Sequence, residues 1–182
     1  MSVARPLFPG ELNYSTVGIG SAAHFGAVRL AISAGITAQH IPFKGPEWLA
    51  DTIAGRVDFS VPPVTTVIGS IRDGKLKALA VGAAKRAASL PDVPTLIEAG
   101  LKADAIYPFY TGAYLPAMTP RAIVDKLHDE VAKALALPSV QERLTKIGVE
   151  KLPMTVAEFD RFFKDDVATN LELVRAANIP RQ

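Results

Sequence analysis

The amino-acid sequence predicts an α/β fold with a mostly parallel sheet. Over the first hundred residues, short apolar runs alternate with amphipathic segments, which is the pattern of alternating strands and helices. After a transition near residues 105–115, the pattern is helical. With 49% hydrophobic residues among 182, the chain can bury a substantial core. We therefore divide it into an extension over 1–10, an α/β unit over 11–110 and a mostly helical region over 111–182.

The first strand is predicted over residues 12–15 and leads through a glycine-rich turn into a helix from about Ala22 to Ala34. Apolar residues three and four apart predict a buried stripe on this helix, formed by Phe25, Val28 and Ile32. Gly35 follows as a natural stop, because glycine readily adopts the left-handed conformation that ends many helices.

Two more strand and helix pairs follow. A strand over 38–43 precedes a helix in which Pro46 suits the first turn and Gly55 the end. A third strand over 56–61 precedes a helix over about 65–72. These alternations complete the pattern from which the parallel sheet is predicted.

Three further segments are predicted in the middle of the chain. Residues 75–83 read as a strand, 89–101 as a loop with a short helix, and 106–115 as a further strand-like segment.

Three helices are predicted in the remainder. Thr119 and Pro120 cap the first, whose apolar face is formed by Ile123, Val124, Leu127, Val131 and Leu135. The second ends before Gly148. The third opens with Thr155 three residues before Glu158, which is the spacing of a capping box.

Composition excludes several classes of function. The 20 basic residues balance 18 acidic ones without forming a basic run, which argues against a nucleic-acid partner. No cysteine is present, so disulfides and zinc-thiolate sites are excluded, and we expect no metal. No stretch has the apolar core of a signal peptide or the roughly 18 apolar residues of a membrane helix.

The turn after the first strand carries the strongest chemical signal. Gly18, Gly20 and Ala23 form a G-x-G-x-x-A pattern, which occurs in dinucleotide-binding loops. Such sites also need an acidic residue about 20 positions later, and here the next acid is Glu47, on the following helix. We therefore expect no nucleotide and no other cofactor.

An anion site remains consistent with this turn. Backbone amides at a helix N-terminus attract a carboxylate as readily as a phosphate. Ser15, Thr16 and Ser21 add hydroxyl groups at the same end of the strand. The alternative is that Ser21 only caps the helix and the glycines only permit a tight turn, and the local pattern does not decide between the two.

Other polar residues give weaker signals. The histidines show neither metal-ligand nor triad spacing: His24, His40 and His128. His24 either faces a ligand at the helix mouth or is an ordinary boundary residue, and Lys44 is either a cation near the anion or a surface residue. His128, Asp165 and Asp166 are expected to be solvated.

Several segments, in order, resemble the periplasmic solute-binding proteins of tripartite tricarboxylate transporters, also called the Bug family. The matching stretches are "GELNYSTVGIGSAAH", "HIPFKGPEWLADTIAGRVDF", "IRDGKLKALAVGAAKRAASLPDVPTLIEAG" and "LPAMTPRAIVDKLHDEVAKAL". The resemblance implies a type II periplasmic-binding-protein fold, a two-lobed Venus flytrap without enzymatic activity. It also implies capture of a small organic carboxylate in the periplasm, delivery to membrane permease subunits, and a carboxylate held by the loop from Thr16 to Ser21.

The chain departs from the family in length. Relative to the family, we expect an N-terminal portion to be missing, namely the signal peptide and the first part of lobe one, including a loop that supplies ligand contacts. The resemblance therefore implies a whole second lobe over 11–110 and only the C-terminal part of the first lobe over 111–182. An incomplete lobe exposes part of its core, which favours self-association.

A second departure concerns the end of the third strand. Relatives that bind amino acids often carry an acidic residue there, whereas this chain has Pro62 and Pro63. The resemblance therefore favours a ligand without an amine, with these prolines at the pocket. The alternative function, from another class, is a small cytosolic α/β enzyme or regulatory domain that binds an acidic metabolite.

Overall fold

A computed structural model describes residues 12–179, and the predicted extension over 1–10 lies outside this range. Three parallel strands form the sheet in the order β2-β1-β3: β1 Leu12–Thr16, β2 Ala38–Pro42 and β3 Phe59–Ser60. β1 therefore lies at the centre, with Tyr14 beside His40 on one side and Phe59 on the other. The predicted parallel sheet is confirmed.

Six α-helices and one short 3-10 helix accompany the sheet within the described residues. They are α1 Ala22–Ala34, α2 Glu47–Ile53, α3 Val64–Arg72, the 3-10 turn Ala103–Ala105, α4 Arg121–Ala136, α5 Pro138–Lys146 and α6 Val156–Ala176. All six α-helices were predicted, and the bounds of α1 agree to the residue. Ser21 caps the start of α1, and Gly35 ends it with a φ of 65°.

The buried face of α1 differs from the predicted stripe. Ile32 is 56% exposed, whereas Ala27 is fully buried. The side that faces the core carries small residues, and a Cβ at Gly26 would lie 3.2 Å from Val61 Cγ1. Small residues allow α1 to lie close to neighbouring segments. The predicted stripe is confirmed at Val28, which is 9% exposed, but not at Ile32.

Three predicted elements in the middle of the chain do not form. Residues 75–83 make a single parallel bridge, between Val81 and Thr95, in place of a strand. Residues 89–101 form turns without a helix, and residues 106–115 belong to neither a helix nor a strand. A strand needs a neighbour to accept its ladder of hydrogen bonds, and the described sheet ends in the two-residue strand β3.

The helical region after residue 116 has little burial. Helices α4, α5 and α6 contain no fully buried residue in the described structure. The face predicted for α4 remains largely exposed, with Ile123, Leu127 and Val131 each exposed by 45–50%. Pro120, not Thr119, is the capping residue of α4, and no side chain caps it. The capping box at Thr155 is confirmed. The division into two lobes stays a prediction.

Candidate functional site

The candidate site begins at the loop that joins β1 to α1. Gly18 has a φ of 134° and Gly20 a φ of 74°, both in the region that residues with a Cβ seldom adopt. The two glycines therefore let the chain turn sharply from the end of the central strand into the first helix. This loop lies at the carboxyl end of the parallel strands, where ligands of open α/β sheets bind.

Thr16 holds the start of the loop. It is 1% exposed, and its Oγ1 accepts the Gly18 N–H at 3.1 Å. The same hydroxyl lies 3.0 Å from the Gly18 carbonyl oxygen and 2.7 Å from His40 Nε2. Its own carbonyl accepts the N–H of Phe43 at 2.9 Å. Thr16 therefore shapes the loop and connects it to β2.

Ser21 holds the end of the loop. Its hydroxyl donates to the Gly18 carbonyl at 2.8 Å and accepts the His24 N–H at 3.2 Å. The interpretation of Ser21 as a helix cap is therefore confirmed. The first N–H groups of a helix have no acceptor within the helix. With the His24 N–H capped, the groups that remain open in the described structure are those of Ala22 and Ala23.

Two histidines, His24 and His40, contact residues that shape this loop. His24 is 5% exposed, and its Nδ1 accepts the Gly20 N–H at 3.1 Å. The rings of His24 and His40 stack with centroids 3.9 Å apart and planes 13° apart. Tyr14 stacks on the other side of His40 at 5.0 Å. His24 thus contacts the loop, and sequence spacing had not indicated its pairing with His40.

Both imidazoles are held neutral. Burial lowers the pKa of His24 below its usual 6.5. Burial, with a smaller contribution from the charge of a protonated His24, lowers the pKa of His40 to about 4. At pH 7 the pair therefore adds hydrogen-bonding groups to the site without adding positive charge.

A cavity of about 270 Å³ lies beside the N-terminus of α1. Its lining residues are Ala22, Phe25, Tyr107, Pro108, Phe109, Tyr110, Tyr114, Asp166 and Asn170. We call it the aromatic cavity. Ala22, from the first turn of α1, and Asp166, from α6, both line it.

The Asp166 end of the aromatic cavity is organised by hydrogen bonds. Asp166 Oδ2 accepts the hydroxyl of Tyr110 at 2.9 Å and the side-chain N–H of Asn170 at 3.0 Å. Burial and this bond to the carboxylate raise the pKa of Tyr110. The expectation that Asp166 is simply solvated was wrong, because the turn of the chain after residue 105 brings the tyrosine onto α6.

The remaining predicted site residues are not among those that line the aromatic cavity. Ser15 is 1% exposed, and its hydroxyl lies 3.0 Å from Thr52 Oγ1. Lys44 is exposed just beyond β2. Pro62 and Pro63 follow β3, and Pro63 is the residue before α3.

His128 also lies away from the loop. It is only partly exposed, and its Nε2 lies 2.9 Å from the carbonyl oxygen of Met154. Full solvation was therefore the wrong expectation for this residue.

Tyr14, His40 and Asp166 are the residues at the site that sequence reasoning missed. Tyr14 and His40 are direct neighbours in the β1–β2 register. Aligning the two predicted strands would have placed them together. Asp166 had no such signal, because its partner Tyr110 lies in an irregular segment.

Comparison with protein families shows the family to which the chain belongs. Residues 3–179 match the family described as the tripartite tricarboxylate transporter family receptor. The chain belongs to this family. The resemblance drawn from the ordered sequence segments is thereby confirmed.

Curated relatives show the same relationship. The UPF0065 protein in the tcbD-tcbE intergenic region of Pseudomonas sp. (strain P51) is 35% identical over 144 residues, covering 78% of this chain and 43% of the relative. Protein BugT of Bordetella pertussis is 27% identical over 168 residues, covering 92% of this chain and 51% of BugT. The chain thus spans about half the length of these curated relatives.

Solved structures of periplasmic binding proteins share the fold. An R. palustris protein, Rpa4515, with adipate is 28% identical with a TM-score of 0.77, over 94% of this chain and 57% of that one. MatC from Rhodopseudomonas palustris with bound malate is 28% identical with a TM-score of 0.74, over 91% and 57%. Periplasmic binding protein BugD is 30% identical with a TM-score of 0.76, over 95% and 58%.

These similarities confirm the predicted α/β, periplasmic-binding-protein-like fold. They also identify the family as one of binding proteins, so the alternative of a small enzyme or regulatory domain is not favoured. From residue 12 to residue 179, no helix has the length and apolar character needed to cross a membrane. The same residues contain no cluster of acidic residues and histidines suited to a metal ion.

Proposed function

We propose that this chain captures a small organic carboxylate as the solute-binding component of a tripartite tricarboxylate-type transporter. The family match supports the role, and similar structures with adipate and malate support the class of ligand. We propose further that it acts in the periplasm and delivers its ligand to membrane permease subunits. No covalent step is involved, since capture needs only donors of fixed geometry.

The observation that carries the proposal is the position of the first turn of α1. Its open N–H groups, at Ala22 and Ala23, lie at the positive end of the helix dipole, and Ala22 lines the aromatic cavity. A carboxylate at this end would accept these amide hydrogens. The carbon chain of the acid would then lie against Phe25 and Tyr107.

The charge distribution of the cavity orients the ligand. Asp166 lines the same cavity, and a second carboxylate directly beside it would be repelled. We therefore propose that the recognised carboxylate binds at α1 and that a second carboxylate, where the ligand has one, points away from Asp166. With Pro62 and Pro63 at the end of β3, that strand offers no carboxylate to an ammonium group.

The predicted site residues receive distinct roles in this proposal. Ser21 caps α1 and holds the loop through the Gly18 carbonyl, and the amides of Ala22 and Ala23 contact the carboxylate. Gly18 and Gly20 give the loop its shape, and Thr16 holds it. Ser15 supports the strand end through its hydroxyl contact, and the exposed Lys44, just beyond β2, adds a positive charge at the carboxyl end of the sheet.

Binding is tested by thermal unfolding of the full chain with mono-, di- and tricarboxylates of increasing length. A ligand at 100 times its dissociation constant stabilises the native state by about 2.7 kcal/mol. We expect stabilisation by short dicarboxylates and none by the corresponding diamides. Stabilisation by diamides as well, or by no acid at all, contradicts the proposal.

A loop variant localises the effect. A Cβ added at Gly20 would meet nothing within 4 Å, so Gly20→Val introduces no clash at that atom and acts through the φ of 74°. We expect this variant to lose the response to acids. As a matched control, Gly74→Val places the same residue at a φ of 69°, far from the loop, and is expected to keep the response.

We also propose that the chain associates with itself through the exposed face of α4. Three large apolar side chains lie in a row there, which is unusual for a monomer: Ile123, Leu127 and Val131. Sedimentation velocity should show concentration-dependent association that Leu127→Glu abolishes. A monomer at all concentrations contradicts this part of the proposal.

A further inference from the structure

We call the loop that joins β1 to α1, residues 17–21, the anion loop. We propose that His24 and His40 are positioning residues that fix its two glycines, Gly18 and Gly20, and thereby direct the ligand to the first turn of α1. The inference rests on the proposed carboxylate function. It concerns residues that need not touch the ligand, and it explains why the buried His24 and the partly buried His40 stack next to this loop.

The first contact fixes Gly20. Its N–H donates to His24 Nδ1 at 3.1 Å, so this nitrogen must offer a lone pair. Neutral His24 consequently carries its proton on Nε2. A protonated ring would present an N–H to the N–H of Gly20, and the bond would be lost.

The second contact fixes Gly18 through Thr16. His40 Nε2 lies 2.7 Å from Thr16 Oγ1, and that oxygen accepts the Gly18 N–H at 3.1 Å. The threonine cannot rotate away without breaking both contacts. His40 therefore controls the conformation at Gly18 although it does not touch that residue.

Ring stacking joins the two contacts into one unit. The imidazoles lie 3.9 Å apart and nearly parallel, with Tyr14 on the other side of His40. Because the N–H groups of both glycines are bonded inward, they are not available to an anion. The donors left for a carboxylate are the amides of Ala22 and Ala23, so the histidine pair selects the place of binding.

The residues that share a cavity with the two histidines carry no charged side chain that would change the protonation of the rings. Tyr14 approaches it from β1, and the segment 176–179 lines a cavity of about 640 Å³ shared with both histidines. That segment holds alanines, Asn178 and Ile179, none of which titrates. Binding should therefore weaken as acidification protonates the two rings.

The test uses pairs of variants of similar size in the full chain. His24→Asn keeps an acceptor near the position of Nδ1, whereas His24→Leu does not. His40→Gln keeps a polar group near Nε2, whereas His40→Met does not. Binding of adipate and malate is measured by calorimetry, and stability by urea unfolding, for each variant.

We expect His24→Leu and His40→Met to weaken binding roughly tenfold, the effect of losing one buried hydrogen bond. The Asn and Gln variants should remain within about threefold of the wild type even if all four variants lose similar stability. Equal weakening within each pair would show that the rings only fill space, and would overturn the inference.

A second measurement does not depend on any ligand. Long-range ¹H–¹⁵N spectra of the imidazoles at pH 7 should show His24 protonated on Nε2 alone, and the Gly20 amide should exchange faster in His24→Leu than in His24→Asn. A proton on Nδ1, or equal exchange in the two variants, refutes the positioning role. If these results hold while no acid binds the wild type, only the proposed function fails.

Discussion

The α/β unit and the helical region of this chain differ in how they bury their apolar residues. Among the described residues, every buried hydrophobic side chain except Ile179 lies between Tyr14 and Tyr107. In contrast, α4, α5 and α6 have amphipathic sequences but no buried residue within the part of the chain described. A helical pattern in the sequence thus predicts a helix in both regions, but it predicts a covered face only where the sheet is present to cover it.

This contrast matters for binding. The loop between β1 and α1 belongs to the unit that has its own core, so its geometry should survive changes in the helical region. The aromatic cavity, however, takes Asp166 and Asn170 from α6. Capture of a ligand therefore depends on both regions, whereas the anion loop depends on one.

The largest expected difference between the two regions is in the unfolding free energy lost when a large apolar side chain is replaced by alanine. Trp48 on α2 is 7% exposed, and Trp48→Ala should cost about 3–5 kcal/mol of unfolding free energy. Leu127→Ala on α4, where the side chain is 45% exposed, should cost less than about 1 kcal/mol. Urea unfolding at a protein concentration that keeps the chain monomeric measures both. Equal costs would mean that α4 is covered in solution.

Acidification should affect the α/β unit next most strongly. The folded pKa of His40 lies near 4 against its usual 6.5, so its contribution is present above pH 6.5 and is lost as the pH falls toward 4. We expect a loss of about 1 kcal/mol, smaller than the full shift corresponds to, because partial exposure screens the ring. His24, whose pKa is also lowered, acts in the same direction.

Unfolding free energies at pH 7, 5.5 and 4.5 measure this loss. The His40→Gln variant is the control, because glutamine does not titrate and carboxylates elsewhere are unchanged. If the unfolding free energies of the wild type and of His40→Gln fell equally with pH, the assignment of neutral histidines would be contradicted.

The smallest effect compares two helix caps. Ser21 caps α1 and Thr155 caps α6, and each accepts the N–H of the residue three positions later. Replacing either by alanine should cost about 1 kcal/mol. Only Ser21→Ala should also weaken carboxylate binding in calorimetry. If Thr155→Ala weakens binding equally, the site is not confined to the α1 loop.

The sequence predicts features that depend on local interactions, and it misses features that depend on contacts between residues distant in the chain. The bounds of α1 were predicted because Ser21 and Gly35 are local signals. The prediction of a strand over 75–83 was wrong because a strand must pair with a segment distant in sequence. Among these residues only Val81 forms such a bridge in the described structure. The anion loop was located by its glycines and hydroxyls, whereas its histidine support was missed because His24 and His40 meet only through the fold.

The central claim is that a carboxylate binds at the first turn of α1. Backbone ¹H–¹⁵N spectra of the 19.4 kDa chain, recorded during titration with adipate or malate, test it residue by residue. We predict saturable shifts that are largest at Ala22 and Ala23, smaller at Gly18 and Gly20, and absent along α4. Saturable shifts centred on any other part of the chain, with the amides of Ala22 and Ala23 unmoved, would contradict the account.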